Sequence, residues 1–351
     1  MSSLSYCQKI VLPAALILSA GSLTYGNTPD STASELEEIL IIGSKTAARS
    51  VSGSASFIDE ADLERFDQID LRKVLNQVAG VYIREEDGFG LRPNIGIRGA
   101  AAERSQKVTI MRDGVLITPA PYSAPAAYYV PNVSRISSVE ILKGPSATAY
   151  GPHTVGGAVN LASLAMPMND FEGLLDFSMG SDGFYKAQAI YGARSGDYSY
   201  LLDVLTYGAD GFKNIDMVDQ DTGFVRNDVG MKLSYFAPDS RFDHKVTLLL
   251  EAGDEDADET YLGLTDEDFR STPHRRYAAS QMARFRSQHY NAVLNYGAVL
   301  SESNTTNLKL YWNKFDRSWN KLDRFWRGPS LQKILKNPEQ YQSYYSILTG
   351  D

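Results

Sequence analysis

The glycine-rich stretch at residues 139–160, VEILKGPSATAYGPHTVGGAVN, is the part of the chain whose composition most suggests a binding loop. A phosphate-cradling loop combines glycines with Gly-Lys-Ser/Thr, and a dinucleotide site needs the spacing GxGxxG. Neither pattern is present in this stretch. We therefore interpret these glycines as residues that allow tight turns and close backbone packing.

Residues suited to catalysis or metal binding are scattered. The single cysteine, Cys7, excludes an internal disulfide and a CxxC pair, and the four histidines form no HExxH motif. No Ser-His-Asp signature or paired-carboxylate motif stands out, so we predict no enzyme, no catalytic residue, no metal site and no cofactor. The acidic run at 251–260 could hold calcium, but it lacks EF-hand spacing, and we interpret it as a solvated loop.

Composition and the N-terminus indicate an exported protein that does not bind nucleic acid. The 351 residues carry a formal net charge of −9, whereas nucleic-acid binders usually present a basic face. Lys9 precedes the apolar segment at 10–20, which is too short to span a bilayer and is typical of a signal peptide. We predict a signal peptide over 1–26, and a buried N-terminal helix is the alternative.

A linker over 27–43 ends in the apolar run EEILIIG, and 44–165 then predicts a compact α+β domain. Helical spacing runs over 58–80, where Asp70 can cap a helix and Gly80 can end it. Short strands follow, and Asp113-Gly114 between two of them is a hairpin signal.

From about residue 170 apolar and polar residues alternate with a period of two. In DVGMKLSYF, Val229 and Leu233 fall on one face, and Asp228 and Lys232 on the other. Each such segment has about ten residues, the length of a tilted membrane-spanning strand, and Tyr and Trp lie near the segment ends. We predict an incomplete antiparallel transmembrane β-barrel of about seven strands over 170–351.

The connections between these segments alternate in length. Tight polar turns and long connections follow one another in this order: 194–197, 209–226, 237–241, 254–285, 301–304 and 317 onward. Short turns on one side and long loops on the other are typical of an outer-membrane barrel. A soluble β-sandwich is the alternative, and it would have short loops at both ends.

Three motifs resemble the plug domain of TonB-dependent outer-membrane receptors: PNIGIRG at 93–99, DGVLI at 113–117 and the glycine-rich stretch at 139–160. EEILIIG resembles the TonB box of that family. Within the family, DGVLITPAPYSAPAAYYVP and ETYLGLTDEDF at 259–269 are most similar to ferric-dicitrate and other ferric-siderophore receptors.

The resemblance implies an α+β plug domain followed by antiparallel transmembrane β-barrel strands in the Gram-negative outer membrane. Its partners would be TonB with its energising complex, a ferric siderophore similar to ferric citrate, and membrane lipid. The siderophore would carry the iron, so no cofactor is expected. The TonB box would pair with TonB as an added strand, and an ordinary plug strand is the alternative. Its residues are Glu38, Ile39, Leu40, Ile41 and Ile42.

The resemblance also suggests site residues. Arg98 and Glu140 match positions of a lock between plug and barrel, and Lys143 is similar; ligand contact is the alternative role. The apical loop at 118–131 is a better ligand candidate, although its tyrosines could only pack against the barrel. Arginine binds carboxylates in a fork, which makes three arginines further candidates. The ligand candidates are Arg112, Thr118, Tyr122, Tyr128, Tyr129, Arg275 and Arg276.

A plugged transporter has about 22 strands, and an odd number leaves an up-and-down sheet unable to close. We therefore expect the N-terminal part of a receptor that does not transport alone. Haem, cobalamin or a carbohydrate is the alternative cargo, and a ligand-binding plug without transport is a second alternative.

Overall fold

The computed structural model describes residues 41–51, 53–66, 70–117, 129–237, 243–301 and 304–351. The predicted signal peptide and Glu38, Ile39 and Leu40 of the predicted TonB box lie outside these residues. The ligand candidates Thr118, Tyr122 and Tyr128 lie outside them as well.

The first part of the described chain forms helices and a mixed β-sheet. Its elements are α1 (Lys45–Ser50), β1 (Ser54–Ile58), α2 (Glu60–Phe66), α3 (Leu71–Leu75), β2 (Val81–Arg84), β3 (Asn94–Ile97), β4 (Val108–Arg112), β5 (Val115–Leu116), β6 (Ile136–Lys143) and β7 (Gly157–Ser163). The mixed sheet has the order β1-β6-β7-β4-β5 and is antiparallel except between β4 and β7. Strands β2 and β3 form a separate antiparallel pair.

Local sequence signals explain two of these features. Asp113 and Gly114 have φ values of 49° and 73° and join β4 to β5 as a two-residue hairpin, as predicted. Asp70 caps α3 by accepting the Arg72 backbone N–H over 2.7 Å. The helix ends at Leu75, earlier than the predicted end at Gly80, because the chain turns before β2.

The core of this part lies where the helices pack on the mixed sheet. Val139 and Ile141 of β6, Leu161 of β7 and Leu75 of α3 are 0% exposed. Strand β6 is central and buried along most of its length, which accounts for its nearly continuous apolar run.

The second part forms a seven-stranded antiparallel sheet, which we call the long sheet. Its strands are neighbours in chain order: β8 (Glu172–Met179), β9 (Tyr185–Ser195), β10 (Tyr198–Ala209), β12 (Phe224–Ala237), β13 (Asp243–Ala257), β15 (Arg284–Ser301) and β16 (Asn304–Asn320). The predicted number of strands is confirmed. At the end with long connections lie β11 (Asn214–Ile215), α4 (Asp266–Ser271), β14 (Arg275–Arg276), α5 (Leu331–Lys336) and α6 (Gln342–Thr349).

The two faces of the long sheet differ as the alternation predicts. Val204, Val229 and Leu233 are exposed on its outer face, whereas Asp228 and Lys232 are buried on its inner face. An apolar outer face suits lipid contact. Near the short-turn end the exposed rings of Tyr198 and Tyr235 lie 4.7 Å apart, where an interfacial aromatic belt would be expected.

The interpretation of 251–260 as a solvated loop is wrong for most of the run, because β13 continues to Ala257. Its charges are tolerated in a strand because arginines pair with them on both faces. Glu251 and Glu255 pair on the inner face, and Asp256 pairs with Arg284 on the outer face.

In the described part of the chain, β8 pairs only with β9 and β16 only with β15, so the long sheet does not close on itself. None of the described helices is long and apolar enough to cross a membrane.

We expect Leu161→Ala to destabilise the mixed sheet by about 2–5 kcal/mol, because it leaves a cavity in a fully buried core. Hydrogen exchange of peptides covering 136–163 in the full chain measures this. The control is Leu175→Ala, a strand leucine that is 69% exposed, which should leave this exchange unchanged. Equal effects of the two variants would contradict the assigned core.

Candidate functional site

Two arginines of the first part of the chain reach the inner face of the long sheet. Arg112 ends β4 and grips Glu251 with two hydrogen bonds, Nη2 to Oε1 at 2.7 Å and Nε to Oε2 at 3.1 Å. Arg135 lies just before β6, and its Nε donates to Asp203 over 2.5 Å. Its Nη2 and Nη1 lie 3.3 Å from Glu251 and 3.4 Å from Asp228.

These charges form a neutral cluster that is closed to solvent. Arg226 of β12 joins it through Asp228, Nε to Oδ2 at 3.1 Å, so three arginines face the carboxylates of Asp203, Asp228 and Glu251. We call these six residues the interface cluster. Although burial opposes the charge, the Glu251 carboxylate raises the pKa of the Arg112 guanidinium, which keeps it charged. Buried ions are stable only when paired in this way.

Glycine makes room for the Arg135 guanidinium. Asp203, Gly230 and Glu251 lie side by side on β10, β12 and β13. A Cβ at Gly230 would lie 2.7 Å from Arg135 Nη2, closer than real Cβ contacts. The guanidinium therefore approaches both carboxylates because the strand between them has no side chain at this point.

Tyr129 is a structural part of this region. Its ring stacks on His289 with centroids 4.0 Å apart, and its hydroxyl accepts from Arg135 Nη1 over 3.0 Å. The Arg226 guanidinium lies 4.6 Å from the ring centroid. The ring is 6% exposed, so Tyr129 packs in the interface rather than facing a ligand space.

A second arginine contact lies closer to the long connections. Arg92 donates from Nη2 to Glu255, and its Nη1 lies 3.3 Å from Glu259. Its guanidinium also lies 4.0 Å from the centre of the Phe285 ring. The loop that carries Arg92 is shaped by Asp87, whose carboxylate accepts several backbone N–H groups of that loop.

The residues predicted to lock the plug to the barrel lie elsewhere. The described hydrogen bonds of Arg98 and Lys143 stay within the first part of the chain: Arg98 Nη1 donates to the Lys143 carbonyl, and Lys143 Nζ to Ser56 and Ala79. Glu140 accepts from Asn160 and from backbone N–H groups at 41–43. The lock assignment to these three residues stays a prediction; in the described part of the chain, Arg112 and Arg135 join the two sheets.

The remaining ligand candidates are three arginines, which differ in whether a carboxylate pairs with them. Arg112 is buried in the interface cluster and paired with Glu251, and its ligand role stays a prediction. Arg275 is held by Asp216 and Asp268 at 3.0 and 2.8 Å. The described hydrogen bonds of Arg276 go to neutral oxygens, including Thr260 Oγ1 at 3.2 Å. Only Arg276 among them keeps a cation without a described carboxylate partner.

The candidates from sequence omit a group of cations at the long-connection end. Lys321 Nζ lies 3.6 Å from the centre of the Tyr261 ring and 3.9 Å from that of Trp319. Burial and the charge of Arg104 lower the pKa of Lys321. Arg104 belongs to the first part of the chain, and Arg317 of β16 lies near it, with its guanidinium 5.8 Å from the centre of the Trp319 ring.

Residues 47–158 match the family described as TonB-dependent Receptor Plug Domain. This part of the chain is therefore a TonB-dependent receptor plug domain. We now call the part of the chain that carries the mixed sheet the plug. TonB-dependent receptors lie in the outer membrane of Gram-negative bacteria, which agrees with the location predicted for this chain.

Individual relatives support the same fold. The chain is 24% identical over 184 residues to the vitamin B12 transporter BtuB of Photobacterium profundum, which covers 52% of this chain and 29% of that protein. It is similar to the unliganded ferric citrate transporter FecA, with a TM-score of 0.65, 23% identity, and coverage of 79% of this chain and 42% of FecA.

The ferric yersiniabactin uptake receptor FyuA from Yersinia pestis is also similar, with a TM-score of 0.65 and 19% identity over 78% of this chain and 42% of FyuA. The chain thus spans less than half the length of each of these relatives. These relatives are transporters and receptors rather than enzymes.

The interface residues were missed because sequence alone cannot pair them. The period-two pattern does put Asp228 and Glu251 on the polar face of their strands, and a charge on that face must find a partner. Arg112 and Glu251 are 139 positions apart, and no local pattern joins them.

We expect Glu251→Gln to loosen the plug by about 3–5 kcal/mol, because it leaves the buried arginines short of one carboxylate. The measurement is the urea concentration at which trypsin cleaves after Arg112 or Arg135 in the full chain. Asp256→Asn on the outer face of the same strand is the control and should cost less than about 1 kcal/mol, since its partners are exposed. Similar urea midpoints for the two variants would argue against the interface cluster as the attachment.

A second prediction concerns pH at the long-connection end. Although burial opposes it, hydrogen bonds from Tyr277, Thr265 and Tyr345 lower the pKa of the Asp268 carboxyl. A lowered pKa in the folded chain means that this stabilisation is complete above the ordinary value of about 4 and is lost as the pH falls below it. The contact between α4 and α6 should therefore weaken in acid.

Cleavage within 331–349 by pepsin, compared among variants at each pH, measures this loss. Asp268→Asn should be cleaved faster than wild type at about pH 5. The difference in cleavage rate between the two proteins should become smaller toward about pH 2, where the wild-type carboxyl is protonated as well. Glu267→Gln, an exposed neighbour on the same helix, is the control and should match wild type at every pH. An unchanged Asp268→Asn variant would show that this carboxylate does not hold the loop.

Proposed function

We propose that this chain forms part of a receptor that imports a ferric siderophore similar to ferric citrate through the outer membrane. TonB would supply the energy. The observation that carries the proposal is the interface cluster, because it fastens the plug to the inner face of a lipid-facing sheet. A plug held there stands in the path of any solute that enters the lumen. Since a lipid-facing sheet must close, the transport is proposed for the closed barrel and not for an open sheet.

The energy must come from outside the plug. Pairing between Glu38–Ile42 and an edge strand of TonB would provide a grip made of backbone hydrogen bonds. Force on that segment would reach α1 and then β1, which is an edge strand of the mixed sheet. The plug could then be rearranged while the long sheet stays in the membrane.

The proposed cargo class rests on charge. Arg104, Arg276, Arg317 and Lys321 lie on the first part of the chain or toward its long connections, and a ferric-citrate complex is anionic, so its carboxylates suit arginine. The cleft of about 660 Å³ beside Asp219, Asp221 and Asp258 has the opposite character and suits an anion poorly. Cobalamin is the second candidate cargo, because the relative from Photobacterium profundum transports vitamin B12.

Uptake in the source cells tests both parts of the proposal. We expect chromosomal deletion of Glu38–Ile42 to abolish uptake of labelled ferric citrate, because the strand that TonB would pair with is gone. Deletion of 30–34 in the same polar linker is the matched control and should keep uptake near wild type. Uptake that survives the first deletion contradicts the TonB box. Loss of labelled cyanocobalamin uptake, with ferric citrate uptake intact, would assign the second cargo.

A further inference from the structure

Residues 41–43, the end of the run EEILIIG, are held by a single carboxylate of the plug. The backbone N–H groups of Ile41, Ile42 and Gly43 donate to Glu140 over 2.8, 2.7 and 2.9 Å. Asn160 Nδ2 supplies a fourth donor at 2.7 Å. Glu140 is 1% exposed and lies on the central strand β6. The carboxylate is thus stabilised by neutral donors, three of which come from the N-terminal segment.

This arrangement is incompatible with an extended strand. In a β-strand, successive N–H groups point to opposite sides, so three consecutive groups cannot converge on one carboxylate. Here the backbone bends at Ile41 and Ile42, and Gly43 adopts a φ of 78° in the left-handed region. Consecutive N–H groups in such a curled backbone form a concave site for an anion. Residues 41–43 can therefore contact Glu140 or pair with a partner strand, but not both.

We propose that Glu140 is a latch that holds residues 41–43 on the plug and that must release them before TonB can pair with this segment along its whole length. This proposal rests on the proposed function, because TonB is the partner assumed there. Release would leave the buried Glu140 carboxylate with Asn160 as its remaining described donor, which is costly for a buried anion. It would also remove Ile42, which is 8% exposed, from the buried apolar cluster that contains Met111 and Leu142. Glu140 is in this view a positioning residue.

A cysteine reporter tests the latch without TonB. In the full chain with Cys7→Ser, we place Ile42→Cys and measure the rate of its reaction with a maleimide. Glu140→Gln should raise this rate by about 10- to 100-fold, because hydrogen bonds to a charged acceptor are lost. Glu172→Gln is the matched control, since the half-buried Glu172 accepts backbone N–H groups of Met168 and Asn169 outside the mixed sheet. It should leave the rate unchanged.

A second reporter separates latch release from unfolding. Ala162→Cys on β7 is 1% exposed and should stay unreactive in the Glu140→Gln background. If it becomes reactive, Glu140→Asp decides the question, because the shorter side chain keeps the charge but cannot reach all three donors. A faster reaction at Ile42→Cys with Ala162→Cys protected supports the latch. Equal rates at Ile42→Cys in wild type and in the variant that keeps the plug folded overturn it.

Binding of a purified periplasmic TonB domain distinguishes this inference from the proposed function. Glu140→Gln should bind it about tenfold more tightly, because the segment no longer has to leave the latch first. If the reporter shows release but neither wild type nor the variant binds, the proposed partner is wrong and the latch stands. If both bind equally and the reporter rate is unchanged, the latch is wrong and the proposed function stands.

Discussion

The plug depends on the rule that buried charges must be paired. Arg112 and Arg135 lie 23 positions apart on different elements of the plug, and both meet the Glu251 carboxylate. Moving the plug along the long sheet by one residue pair would separate these partners and leave ions of both signs unpaired. The interface cluster therefore fixes the position of the plug more sharply than apolar contacts, which tolerate small shifts.

The same rule shapes the strands that surround the plug. Each strand of the long sheet must be apolar toward lipid and charged toward the plug, which a period of two allows. Gly230 shows how finely this is arranged, because it lies between Asp203 and Glu251 where the Arg135 guanidinium needs space. The polar inner face and the missing side chain at Gly230 together form a binding site for the arginine side chain.

Features that depend on neighbouring residues could be predicted from the sequence, whereas contacts between residues far apart in the chain could not. The Asp113-Gly114 hairpin and the alternation in the strands are local, and both could be predicted from sequence. The lock roles of Arg98, Glu140 and Lys143 were predicted from a motif match, which names no partner and leaves them predictions, whereas the contact between the sheets through Arg112 and Arg135 is long-range. The end of β13 was misjudged because Glu255 and Asp256 look solvated until Arg92, Arg284 and Arg286 are seen beside them.

The plug is attached at residues 41–43 and at the interface cluster, and the first attachment is expected to release before the second. Residues 41–43 are held by hydrogen bonds to the single carboxylate of Glu140, and releasing them leaves one buried anion that still accepts from Asn160. The interface cluster is held by ion pairs in a solvent-free space, and breaking one leaves an unpaired charge. Force applied at the N-terminus therefore meets the weaker attachment first and then β1, an edge strand that pairs with β6. Arg112 on β4 and Arg135 before β6 lie on the other side of that pairing, so the N-terminal edge can yield while the centre of the plug stays fastened to the long sheet.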